Sequence, residues 1–159
     1  ADIKIMIDDI KQIKQLGANG VVLGALTSDN TIDVPTLEKL LREADGLEVT
    51  FHRAFDEVKD QEAALQTLLA FPEINRILTS GGKASAVVAS DQIRKLVALT
   101  KNTSCTILAG SGLTLDNIED FINETKVEEV HVGSGVRALG ESKNPIDPEM
   151  LRSVVQLVK

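Results

Sequence analysis

Leu47-Glu-Val-Thr-Phe-His-Arg-Ala-Phe-Asp56 is the stretch that decides how the rest of the chain is understood. Val49 and Phe51 fall on one side of an alternating strand, while Glu48, Thr50 and His52 fall on the other. A strand whose second face carries an acid, a hydroxyl and an imidazole does more than fill an apolar core. It ends in Arg53 and Asp56, where the chain must turn toward the next helix. A histidine, a cation and an acid therefore gather at one strand end.

Upstream, residues 2–16 read as a helix: Ile3, Met6, Ile7, Ile10, Ile13 and Leu16 follow helical spacing, and Gly17 stops it. Gly20-Val-Val-Leu-Gly-Ala-Leu26 has the pattern of a buried strand, and Thr36–Glu43 that of a short helix behind Pro35. Downstream, Asp60–Ala70 is expected to be helical, and Asn75–Ser80 forms a third strand running into Gly81-Gly82. A longer helix spans Ser85–Thr100. The fourth strand, Ser104–Ala109, runs into Gly110-Ser-Gly112, and Leu115–Thr125 is helical with Thr114 as its cap. The fifth strand, Glu128–Val132, runs into Gly133-Ser-Gly135, and a helix over 148–159 follows the Pro145–Pro148 turn.

Strictly alternating strands and helices give an α/β protein with a parallel sheet and right-handed crossovers. An open sheet covered by helices on both sides is normally apolar on both strand faces. Here one face carries Glu48, Thr50 and His52, then Arg76 and Ser80, then Thr106, then Glu129 and His131. A barrel lumen accommodates such polar layers better. The expected architecture is a TIM (β/α)8 barrel, represented by its last five strands and six helices, with residues 1–159 as a single domain. A complete barrel has eight strands and about 250 residues, so about three strands are expected to be absent from the front. The alternative is an intact five-stranded open sheet. The incomplete barrel leaves an edge at Val21–Leu26, through which copies of the chain would associate as a homo-oligomer.

The totals exclude several classes of function. A net charge of −7 argues against nucleic acid and against anionic membrane, because phosphate binding needs concentrated Lys and Arg. The apolar runs are short and interrupted, so no membrane span is expected. A single cysteine, Cys105, rules out an internal disulfide framework and fits a reducing cytoplasm.

Three groups of residues carry chemistry. His52 is a candidate proton carrier or metal ligand, with Arg53 and Asp56 as partners at the same strand end. The blander alternative has Arg53 and Asp56 pairing to close the loop, with His52 hydrogen-bonded to Thr50 or Glu129. His131 shares its strand face with Glu129 and is a second candidate ligand or acid–base group. Glu48, Arg76 and Glu129 are expected to form a buried ion network deeper in the barrel. The turns that follow three successive strands form a candidate anion site: Ser80 and Gly81, then Gly110, Ser111 and Gly112, then Gly133, Ser134 and Gly135, with Arg137 as a supplement. Glycine lets backbone N–H groups converge, although tight strand-to-helix connections need glycine anyway.

Val49-Thr-Phe-His-Arg-Ala-Phe-Asp56, Arg76-Ile-Leu-Thr-Ser-Gly81, Ile107-Leu-Ala-Gly-Ser-Gly112 and Glu129-Val-His131, in this order, resemble the CutC-type copper-homeostasis proteins. Gly20-Val-Val-Leu-Gly24 and Ile32-Asp33 agree with the preceding segment of that family. The resemblance implies a TIM-barrel fold, a cytoplasmic location and a link to copper. It also implies an Arg-Pro-Arg-Gly-Gly type segment and early strands bearing the copper-holding cysteines, neither of which this sequence contains. Cu(I) prefers thiolate and thioether ligands, and Cys105, Met6 and Met150 are the only sulfur residues. Cys105 is expected to be a small buried hydrophobe rather than a ligand. The expected function is thus copper homeostasis, with copper binding and a polar pocket at the C-terminal mouth of the barrel. The alternative is a barrel enzyme acting on a small phosphorylated or carboxylated metabolite, with the Gly-Ser turns holding the anion and His52 moving the proton.

Overall fold

Four of the helices start where an aspartate precedes an apolar stripe. In the computed structural model, which describes residues 2–158, α1 (Ile3–Gln15) begins on Asp2, whose carboxylate accepts from the Lys4 N–H at 2.9 Å. α2 (Val34–Glu43) begins on Asp33, which accepts from the Thr36 N–H and hydroxyl, with Pro35 in its first turn. α3 (Gln61–Leu69) begins on Asp60 and α6 (Pro148–Leu157) on Asp147, each accepting from two N–H groups of its first turn. Each cap satisfies donors that a helix start would otherwise leave orphaned. The expected helical position Lys159 lies outside the described residues.

Two helix starts differ from the sequence expectation. α4 (Ser90–Thr100) begins five residues later than Ser85, behind a 3₁₀ turn over Val87–Ala89. α5 (Ile118–Thr125) is preceded by Asn117, and Thr114 does not cap it. The Asn117 carboxamide instead accepts from the Thr114 N–H at 2.9 Å and donates to the Gly112 carbonyl at 3.1 Å. A side chain that bonds back into its own turn defers the helix.

The strands are β1 (Gly20–Leu23), β2 (Glu48–Phe51), β3 (Ile74–Thr79), β4 (Thr106–Gly110) and β5 (Glu129–His131). They form one sheet in the order β1-β2-β3-β4-β5, with parallel pairing β1–β2, β2–β3 and β4–β5. Every strand lies beside its neighbour in sequence. A doubly wound sheet reverses direction at a switch point, and this order contains none. The fold is α/β, wound in one direction as in a segment of a (β/α) barrel.

The contacts divide into two compact units: one is the chain up to Ile77 with Asn102–Thr106, the other Leu78–Lys101 with the chain from Ile107 onward. In the first, Val49 and Phe51 of β2 are 1% and 0% exposed, and Leu37, Leu40, Leu65 and Leu68 are buried with them. The opposite strand face is open, with Val22 at 65% exposure. Arg76 pairs with Glu48 at 2.5 Å on that face, and their side chains are 31% and 61% exposed. The expected buried network is therefore, for these two residues, a solvent-facing pair, because the polar side of β2 is not closed over. In the second unit, Ile118, Val136 and Val154 cluster, with Val130 and Val132 packed against them. Val130 points toward the helices, so Glu129 and His131 occupy the other strand face.

The two faces of β2 differ accordingly in energetic weight. Phe51→Ala is expected to lower stability by about 3–5 kcal/mol, and Glu48→Ala by less than about 1 kcal/mol, each read from the urea midpoint.

Candidate functional site

His52 is fixed by its backbone before its side chain is considered. Its N–H donates to the Leu23 carbonyl at 2.9 Å, continuing the β1–β2 ladder one residue beyond the strands. The chain then enters a 3₁₀ turn over Arg53–Glu57, with His52 as its N-cap. Nδ1 of the imidazole accepts from the Ala54 N–H at 3.2 Å. Neither Thr50 nor Glu129 is the recorded partner, which replaces both expected hydrogen bonds. A Cβ at Gly24 would lie 2.9 Å from the His52 Cε1 and 3.0 Å from Nδ1, so the ring rests against bare backbone there.

Arg53 and Asp56 close the same turn. Arg53 Nε donates to Asp56 Oδ2 at 2.8 Å, with the arginine 46% and the aspartate 6% exposed. Gln61 donates to the Phe55 carbonyl and to the second Asp56 oxygen. Asp56 is thus held between a guanidinium and a carboxamide, and Phe55 is fully buried beneath it. These contacts give the pair a role in shaping the turn.

The Gly-Ser turns of the second unit are stitched to one another. Ser80 donates its hydroxyl to the Lys83 carbonyl at 2.6 Å, and the Gly81 N–H bonds the Thr79 hydroxyl at 2.9 Å. Ser111, at φ +84°, donates its hydroxyl to the Ala84 carbonyl and accepts from the Ala86 N–H through its own carbonyl. A Cβ on Gly112 would lie 2.2 Å from the Ser85 hydroxyl, and one on Gly135 would lie 2.1 Å from the Leu113 carbonyl oxygen. The turn after β3 therefore packs on the turn after β4, which packs on the turn after β5. Gly112 and Gly135 are required by this close approach.

His131 ends β5 with an exposed side chain. It pairs in register with Gly110, where an added Cβ would lie 3.1 Å from the His131 Cβ and 3.1 Å from Leu78. Gly133 follows close to the ring. Gly24 and Ser85 were not anticipated. A glycine at a strand end marks close backbone approach and was the available signal for the first, whereas nothing in the local pattern distinguishes Ser85.

The donor set does not fit copper. Cys105 lies just before β4, is buried, and has its thiol pushed up to about 11 by desolvation, away from the thiolate form. Among the described residues no three His, Cys, Asp or Glu side chains come together as a metal-holding group. No helix among them is long and apolar enough to cross a membrane.

One-way winding, with polar strand ends leading into glycine-rich turns, defines the chain as a (β/α)-barrel type of protein. The CutC family model matches residues 1–136, and the chain belongs to the CutC family. It is 42% identical over 137 residues to the family protein CutC of Pasteurella multocida, covering 86% of this chain and 55% of that one. It is 37% identical to the copper homeostasis protein cutC homolog of Dictyostelium discoideum, over 89% and 58% of the two chains. The chain spans about half the length of the curated relatives it matches. The crystal structure of CutC from Streptococcus agalactiae superposes with a TM-score of 0.75 at 34% identity, over 81% of this chain and 62% of that one. Phosphoribosyl anthranilate isomerase from Thermococcus kodakaraensis shares the fold, with a TM-score of 0.63 at 19% identity over 97% and 70% of the chains.

The stitched turns make Gly135 less replaceable than a glycine that meets nothing. Gly135→Ala is expected to cost more than about 2 kcal/mol, because a backbone oxygen must move. Gly17→Ala, at φ +76° in open space, should cost only about 1 kcal/mol; denaturant midpoints compare the two. Cys105 supplies a pH test. Its thiol ionises near 9.0 when exposed and near 11 when folded, so the folded chain keeps its proton where the unfolded chain releases it. Stability from this group is complete below pH 9.0 and is lost as pH rises toward 11, a fall on the order of 2 kcal/mol that Cys105→Ala should remove.

Proposed function

We propose that the chain serves copper homeostasis, the role named for its Dictyostelium relative, and that it does so in the cytoplasm. In this proposal its polar strand ends take a small anionic ligand, and copper is cargo rather than a metal caged by these residues. The observation that carries the reading is the donor chemistry: Cys105, the one thiol, is buried and resists ionisation, and among the described residues no three His, Cys, Asp or Glu side chains come together to cage a metal. The single cysteine supports a reducing compartment.

A second reading is favoured by the stitched layer of Gly-Ser turns. It makes the chain part of a barrel enzyme acting on a small phosphorylated or carboxylated metabolite. Ser80 to Gly81, Gly110 to Gly112 and Gly133 to Gly135, all in the second unit, would then hold the anion.

Competition of Cu(I) against a chromogenic chelator, together with phosphate titration followed by amide NMR, separates the readings. The proposal expects no Cu(I) affinity that depends on His52 or His131, phosphate-dependent shifts at Ser111 to Gly112, and a change in those shifts when Cu(I) is present. Phosphate shifts that ignore Cu(I) favour the metabolite reading. Tight one-to-one Cu(I) binding that is lost in His52→Ala or His131→Ala would sink the cargo reading.

A further inference from the structure

The imidazole of His52 has two chemically distinct nitrogens, and the fold uses one of them. Nδ1 accepts a hydrogen bond from the Ala54 N–H, so it carries no proton and its lone pair is occupied. In the neutral ring the proton then resides on Nε2. Among the described residues no buried side-chain nitrogen or oxygen lacks a partner, and the recorded bond of His52 is through Nδ1. Nε2 therefore opens to solvent. A metal at Nε2 would need the proton moved to Nδ1, where it would face the Ala54 N–H and break the cap of the 3₁₀ turn. A metal at Nδ1 would displace that N–H directly.

We propose that His52 is a hydrogen-bond donor, through Nε2–H, to a small oxyanion, and that Gly24 is the positioning residue that seats its ring. The proposal deepens the polar-strand-end reading and rests on it. Gly24 acts through space: any Cβ there would meet Cε1, Nδ1 and the tip of the fully buried Phe51 at 2.9–3.0 Å, and the imidazole would have to leave its cap. The ring lies beside Phe51, with centroids 5.8 Å apart, and a carboxylate or phosphate at its open nitrogen accepts from the ring N–H.

The test uses the ¹⁵N-labelled chain and long-range correlations of its two imidazoles, assigned with a His131→Asn variant. Inorganic phosphate and succinate are titrated separately, which distinguishes the two sources of oxyanion. The expected result is an Nε2–H pattern for His52 whose signals shift saturably with one anion, and an apparent Kd weakened about tenfold in Gly24→Ala. His52→Asn serves as the folded control, because its carboxamide oxygen keeps the cap while the ring donor is gone; its spectrum should be intact and the anion response of the neighbouring amides absent. An Nδ1–H pattern, loss of the His52 signals on adding Cu(I) alone, or an anion response unchanged in both variants would overturn the proposal. Shifts at the Gly-Ser turns with none at His52 would remove this inference alone. Shifts nowhere in a well-folded spectrum would remove the polar-strand-end reading with it.

Discussion

The alternation of β2 is the constraint on which the rest depends. Val49 and Phe51 are driven out of water against the helices, and each such burial is worth about 1.5–3 kcal/mol. Because successive side chains point to opposite faces, this burial obliges Glu48 and Thr50 to stand on the other side. A slip of one residue would exchange the two sets, placing an acid and a hydroxyl in the apolar layer. The hydrogen bond from His52 to Leu23 carries the same register one step past the strands, so the backbone of His52 inherits its placement from the core.

Much of this was legible in the residues because it is local. The order of strands and helices follows from apolar spacing, and Pro35 and Pro148 mark the first turns of α2 and α6. The polar face of β2 could be read from five residues. What could not be read depends on groups far apart in sequence: the bare backbone that Gly24 offers His52, the bond between Ser111 and Ala84, and the solvent exposure of the Glu48–Arg76 pair. Thr114 illustrates the limit within a single turn, since the Asn117 carboxamide three residues later accepts from the Thr114 N–H and donates to the Gly112 carbonyl, and the helix starts behind it.

Family membership and donor chemistry point to different atoms. The chain belongs to the CutC family, one relative of which is named for copper homeostasis, yet its thiol is buried and protonated and one nitrogen of His52 is already bonded within the fold. Cu(I) selects soft sulfur, and among the described residues no three His, Cys, Asp or Glu side chains gather as a metal-holding group. The relatives are about twice as long as this chain, and the contrast concerns the residues described here.

The stitching of the Gly-Ser turns has a consequence for anyone redesigning this protein. Ser111 reaches back to Ala84 and Ala86, and Gly135 leans on Leu113, so the three connections behave as one cassette. Transplanting a single loop from another barrel would leave its neighbours with mismatched seats. New specificity would have to be introduced by exchanging all three together, or by changing side chains while leaving the backbone as it is.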